Sequence, residues 1–394
     1  MNIREAPVLV LLGSMTKMPV AGVVWQTIHY MLGFERLGYD VYYVEAHART
    51  PSMLMRTPDD DGGVLAAAFI AGVMGRFGRA HRWAYQALQD DGAVFGLSEA
   101  GLAAVFDRAE LVVNLHGGTM PRPEHHANGR LVYLGTDPVQ LELELARDDG
   151  EAIAFLEPHS AFFTFAENYG RPDCPLPVSG RFELLPTRQP VVLDLWRAVY
   201  DARPPFTTVA NWRQHWREVR WEGETYHWSK HLEFLKLVDL PRRTDQSLEL
   251  ALANCGPEDL ELLRRSGWSV RDALSFSSDP DAYRDYLMGS RGEFTVAKDQ
   301  NLRFRTGWFS DRSATYLAAG RPVVTQDTGL GSVLPLGEGL FAWRTAEEAL
   351  EAFDAINSDY TRHSKAAREI ACEHFDSTVI LKSLLERTGA PCAC

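Results

Sequence analysis

The sequence predicts an α/β protein of two domains, each built on a parallel sheet. Three observations carry this. Short apolar runs recur, among them residues 8–12, 110–115, 131–134, 248–252 and 323–325, as strands buried on both faces require. Capped or amphipathic helical segments lie between them, the alternation of crossover helices with a parallel sheet. Finally, a chain of 394 residues is long for one core and suits two domains.

Composition narrows the function classes. Hydrophobic residues make up 45% and charged residues 24% of the chain, as in globular proteins with a sizeable core. A formal charge of −13 argues against nucleic acid as a partner, because a phosphate backbone needs a basic face. A nucleotide stays open, since one basic pocket is enough for a diphosphate. The cysteines, Cys174, Cys255, Cys372, Cys392 and Cys394, are few, odd in number and scattered. That pattern points to reduced thiols and a cytoplasmic protein. The N-terminus lacks the charged-then-apolar pattern of a leader, and the most apolar run, residues 64–74, is too short to span a bilayer. No transmembrane segment is expected.

In chain order, residues 8–12 predict a central strand. A loop from Gly13 to Gly22 follows, holding Ser14, and then an amphipathic helix carrying Val24, Ile28, Met31 and Leu32 and ended by Gly38. Residues 40–44 form the second strand, with Glu45 at its carboxyl end. Strand, loop, helix and strand in so short a stretch make a βαβ unit. Glu45 raises a nicotinamide dinucleotide site, but the G-x-G-x-x-G spacing is absent. Residues 50–63 read as a polar, acidic loop able to act as a flap. Residues 80–88 and 98–108 read as helices, the second capped by Ser98.

The runs at 110–115 and 131–134 deliver His116-Gly117-Gly118 and Gly135-Thr136-Asp137-Pro138 to carboxyl strand ends, where α/β sites collect their chemistry. An imidazole titrates near working pH, so His116 is a candidate to hydrogen-bond a substrate or handle its proton. Its plainer use is to cap the Gly-Gly turn. Asp137 is a candidate base, although Asp before Pro also starts turns. His125 and His126 cluster nearby, yet their spacing matches no standard ligand set, and no metal is expected.

Residues 155–165 predict the strand that ends the first sheet. Residues 171–190 hold Pro172, Pro175, Pro177, Pro186 and Pro190 and read as the crossing between domains. The first domain is thus set at 1–185 and the second at 191–375, with 376–394 a last helix and tail. Residues 206–210 open the second sheet and run into Asn211-Trp212. Trp212, Trp216, Trp221, Tyr226 and Trp228 then alternate with Arg213, Arg217, Arg220 and Lys230. Such a mixture stacks a base and holds phosphates, or simply packs a loop. Strand 248–252 and a helix over 259–267 follow, and Asp279-Pro280-Asp281 caps a helix through Leu287. Three helices close the chain, the first behind the capping box Thr345 to Glu348.

The segment 292–331, GEFTVAKDQNLRFRTGWFSDRSATYLAAGRPVVTQDTGLG, carries the most specific signal. Residues 293–298 read as a strand leading into a basic loop with Lys298, Arg303 and Arg305. Helix 312–319 is entered through Ser310 and Asp311, either able to cap it, and is ended by Gly320 and Pro322. Strand 323–325 runs out into Asp327-Thr328-Gly329. Strand, basic loop, helix N-terminus, strand and Gly-rich turn together present an anion site.

Thr315-Tyr316-Leu317-Ala318-Ala319-Gly320-Arg321-Pro322-Val323-Val324 resembles the donor-site motif of nucleotide-sugar glycosyltransferases of the GT-B type, and looks closer to their divergent, sporulation-associated relatives than to the well-described branch. The retaining branch usually has two glutamates in this motif, where the chain has Gly307 and Thr315. The resemblance implies two Rossmann-like domains facing each other across a cleft, with the last helix crossing back to the first. It implies sugar transfer from a nucleotide-diphosphate donor, without a metal or other cofactor. The acceptor, small molecule, lipid, glycan or protein, stays open. Gly13, Ser14 and Gly22 are implied at the cleft, where the backbone comes close to the donor phosphates or to the acceptor. Asn211, Trp212, Lys230, Lys298, Arg303, Ser310, Asp311, Arg312, Ser313, Asp327, Thr328 and Gly329 are implied around the donor, and His116 and Asp137 at the chemistry. The alternatives are a nicotinamide oxidoreductase using Glu45 and an inert relative that binds a sugar nucleotide without turnover.

Overall fold

A computed structural model describes residues 6–198, 200, 205–214 and 217–390. Trp216, Cys392 and Cys394 lie outside the described residues. The strands are Val8–Leu12 (β1), Asp40–Ala46 (β2), Trp83–Gln86 (β3), Val94–Gly96 (β4), Ala109–Leu115 (β5), Leu131–Gly135 (β6), Ala161–Thr164 (β7) and Leu184–Pro186 (β8) in the first half. The second half adds Phe206–Asn211 (β9), Val219–Trp221 (β10), Glu224–Tyr226 (β11), Leu248–Ala253 (β12), Ser269–Asp272 (β13), Gly292–Thr295 (β14), Val323–Gln326 (β15) and Leu340–Trp343 (β16).

Two sheets result. The first runs β4-β3-β2-β1-β5-β6-β7-β8 and is parallel except for the β3–β4 edge pair. The second runs β13-β12-β9-β14-β15-β16 and is parallel throughout. β10 and β11 form a separate antiparallel hairpin. β1 and β5 sit mid-sheet, so their side chains are buried on both faces, which is why they read as unbroken apolar runs.

Local signals mark most boundaries. Ser98 accepts from Gly101 N at 3.1 Å, and Asp279 accepts from Asp281 N and Ala282 N. Thr345 and Glu348 cap each other reciprocally at the helix Ala346–Ser358. Gly320 ends the helix Asp311–Ala318 at φ +67, a conformation open to glycine at little cost.

Three expectations are corrected. Residues 80–88 are not helical: Trp83, Ala84 and Tyr85 are buried in β3 against β2, and that packing overrides the local helical pattern. The stretch 155–165 divides into the end of the helix Gly150–Leu156, capped by Asp149, and β7. Nor does it end the sheet, because β8 emerges from the proline-rich stretch and adds one more strand. β8 is an edge strand, where Pro186 removes no needed donor.

One hydrophobic core spans both halves. It runs from Leu9 and Leu11 through Ile28 and Phe34 to Phe309, Leu317 and Val323. The last helix, Ser377–Thr388, lies against the helix Ala21–Arg36, where a Cβ on Gly33 would sit 2.5 Å from Leu381 Cδ1. A larger side chain there would push Leu381 aside. Among the described residues no helix is long and apolar enough to cross a membrane.

Candidate active site

Loops at the carboxyl ends of β1, β5 and β6 face the loops that follow β9 and β14. From the first half, β5 ends in His116 at φ +63, followed by Gly117 at φ +56. His116 Nδ1 lies 2.8 Å from Thr136 Oγ1, while its buried Nε2 has no hydrogen-bond partner among the described residues. Burial lowers its pKa to about 4, so the ring is neutral at working pH. One residue past Thr136 stands Asp137, in a turn whose Val139 takes φ +99. The buried Glu142 carboxylate accepts from Val139 N at 2.7 Å and holds that turn. Lys17, in the loop after β1, donates to Gly118 O.

The second half answers with cations and indoles. Lys298 Nζ lies 2.7 Å from Asp137 Oδ1 and 3.1 Å from the Trp228 ring centroid. Arg217 approaches the other Asp137 oxygen at 3.5 Å and stacks on the same indole at 4.9 Å. Burial would raise the Asp137 carboxyl, but Lys298, then Arg217 and His116, outweigh it and hold it below its ordinary value. Lys230 stands 5.7 Å from the Trp308 ring, and Trp308 Nε1 donates to Thr136 O at 3.1 Å, joining the halves. Among the described residues the Lys230 ammonium has no ion pair or hydrogen bond. Burial, with Arg312 and Lys298 adding to it, pushes its pKa well below that of a free lysine.

The other expected residues divide between this cleft and the framework. Ser310 is the N-cap of Asp311–Ala318, but its side chain makes no capping hydrogen bond. Asp311 accepts from Gln26 across the halves at 2.8 Å, and burial, then the charge of Asp137, raises it to about 7. Ser313 Oγ is buried without a partner among the described residues. Gly13 and Ser14 line the first loop. A Cβ on Gly13 would lie 2.3 Å from the Tyr43 ring, so the glycine makes room for that side chain. Gly22 sits in the first turn of Ala21–Arg36, facing Tyr283. Asn211 closes β9 and accepts from Asn254.

Several are consumed by structure. Arg312 is locked to the buried Glu293 at 2.6 Å and donates to Val209 O and Thr295 Oγ1. Arg303 pairs with Glu224 and stacks on Tyr226 at 3.8 Å, pinning the β10–β11 hairpin. Trp212 is fully buried, donates to Asp259 at 2.6 Å and stacks on Phe234. Asp327 pairs with Arg344 at 2.6 Å and accepts from Gly329 N. Thr328 donates to Trp308 O, and Gly329, at φ +86, hands its carbonyl to Asn168. Glu45 is likewise occupied, by Thr16, Tyr43 and His47.

Lys17, Arg217, Trp228 and Trp308 were not singled out by sequence. Trp228 and Arg217 were visible only as part of an aromatic and basic run, and nothing local separates them from Trp212, which is core. Glu293 carried a better signal, a carboxylate inside an apolar strand, which demands a buried partner.

Two parallel sheets meeting along their carboxyl edges, with a basic cleft between them, define the GT-B glycosyltransferase fold, and the chain has it. It is structurally similar over nearly its whole length to nucleotide-sugar glycosyltransferases. An alpha-glucosyltransferase solved with UDP matches at a TM-score of 0.56 and 11% identity, covering 97% of this chain and 99% of that one. A glycosyltransferase involved in avilamycin A biosynthesis matches at 0.53 and 14%, covering 97% of each chain. Anabaena HepE, solved with UDP and glucose, matches at 0.51 and 14%, covering 98% and 100%. No protein-family model matches the sequence, and no curated protein does.

Proposed function

We propose that the protein transfers a sugar from a nucleoside-diphosphate donor to an acceptor hydroxyl, without a metal. Lys230 is the observation that carries this reading: a part-buried ammonium lacking any ion pair among the described residues, beside Lys298. An ammonium is stable at such a place when an anion arrives to meet it. Lys230, Lys298 and the uncapped N-terminus of Asp311–Ala318 together offer a diphosphate fixed charge and backbone N–H groups. Asp311, half protonated near neutral pH, repels it little. The similar structures solved with UDP make UDP the first nucleotide to test.

In the reaction the acceptor oxygen bonds to the anomeric carbon while the bond to the diphosphate oxygen breaks, and its electron pair leaves on the diphosphate. The acceptor proton passes to Asp137, the carboxylate closest to the cations. His116, neutral and with Nε2 lacking a partner among the described residues, hydrogen-bonds a hydroxyl of the transferred sugar. Gly307 and Thr315 carry no carboxylate, and the Thr315 hydroxyl is spent on Arg312 O. Donor contacts made by motif glutamates elsewhere are therefore missing, which supports binding without turnover as a second reading. Donor hydrolysis by the wild type would remove that reading.

The test is a thermal-shift and titration panel of UDP, GDP, TDP, ADP and NAD. A nucleoside diphosphate should stabilise the wild type. Lys230→Ala and Lys298→Ala should each weaken its binding by roughly tenfold to a hundredfold, the worth of a hydrogen bond to a charged group. If NAD alone stabilises, or nothing does, the proposal fails.

A further inference from the structure

We propose that Asp137 is an internal stand-in for the donor diphosphate, pairing with the cations of the second half until a donor displaces it. The inference rests on the nucleotide-sugar reading above and describes how that site is regulated.

Three observations converge on it. First, carboxylate and cations belong to different halves: Asp137 follows β6, whereas Arg217 follows β9 and Lys298 follows β14. The pair therefore bridges the cleft a donor must enter. Second, Asp137 presents one oxygen to Lys298 Nζ at 2.7 Å and the other to Arg217 at 3.5 Å. Two anionic oxygens shared between an ammonium and a guanidinium reproduce what a phosphate offers. Third, the partners differ in burial. The Lys298 side chain is 11% exposed and Asp137 39%, so the ammonium needs a counter-charge more than the carboxylate needs the ammonium.

Lys230 completes the device. It is left over when Asp137 has engaged Lys298 and Arg217, and it stands over Trp308 next to them. A diphosphate lands there first and competes for Lys298 through its second phosphate. Asp137 then loses its counter-charges and gains a nearby anion, both of which strengthen it as a proton acceptor. The base is thus armed by the donor.

The measurement is calorimetric titration of the intact protein with UDP and with inorganic pyrophosphate, a probe independent of the base. Wild type, Asp137→Asn, Lys298→Gln and the double variant are compared. Asp137→Asn should bind both probes roughly five- to tenfold more tightly, the scale of a part-exposed ion pair removed from competition. In the Lys298→Gln background the same change should give no gain. Equal or weaker binding by Asp137→Asn overturns the stand-in while leaving the donor site intact. Failure of every form to bind either probe overturns the donor site and the stand-in together.

Discussion

At the scale of single residues, the cleft separates side chains by whether their partners are internal. Arg312 and Lys298 are alike on paper, both basic and both in the segment 292–331. Arg312 meets Glu293, fully buried on the adjoining strand, and belongs to the framework. Glu293→Ala should therefore destabilise the fold by about 3–5 kcal/mol, because it leaves a buried guanidinium uncompensated, and urea unfolding would show it. A loss under 1 kcal/mol would mean that water reaches Arg312 and the ion pair is not structural. Gly307 makes the complementary point. It sits at φ +74, and a Cβ there would lie 2.9 Å from Asn168. The position where related motifs carry a glutamate is closed here to any side chain. Sequence could show that the glutamate was missing; the backbone shows why it cannot simply be restored.

At the scale of elements, legibility followed burial and capping. The helix Ala346–Ser358 announces itself through Thr345 and Glu348, and the structure closes both hydrogen bonds of the box. Thr345→Ala should cost about 1 kcal/mol, visible as a lower Tm without a change in nucleotide binding. An unchanged Tm would show that tertiary contacts alone hold that end. β1, β5 and β6 were legible because central parallel strands are apolar on both faces. β3 and β8 were not. Both lie toward the outside of the first sheet, are short, and owe their conformation to neighbours far away in sequence.

At the scale of the molecule, two buried sets of titrating groups oppose each other. Burial drives His29 down to about 3 and His116, His125 and His159 to about 4. Each stays neutral when folded but takes a proton in the unfolded chain below about pH 6.5. The unfolded state therefore binds more protons, and this contribution to stability is lost as pH falls from about 6.5 towards 4. Asp311 and Glu167, raised to about 7 mainly by burial, act in the opposite sense, favouring the folded state as pH falls from about 7. The histidines are the larger set, so Tm should fall on acidification across that window. His159→Gln should flatten the fall, and a Tm that rises instead would show the carboxyl groups dominating.

The sequence by itself determined the α/β alternation, the central strands, most helix ends and the anion-ready character of the segment 292–331. These are properties of neighbouring residues: burial on both faces, capping, and a glycine where a left-handed turn is needed. The tertiary structure alone decided which cations stay available. Lys230 and Lys298 were two of several basic residues expected around the donor, and only the meeting of two sheets left the Lys230 ammonium without a partner among the described residues and set Lys298 against Asp137. Charge availability depends on what lies within a few ångströms in space, and residues 137, 217 and 298 come together only after both halves have folded and closed.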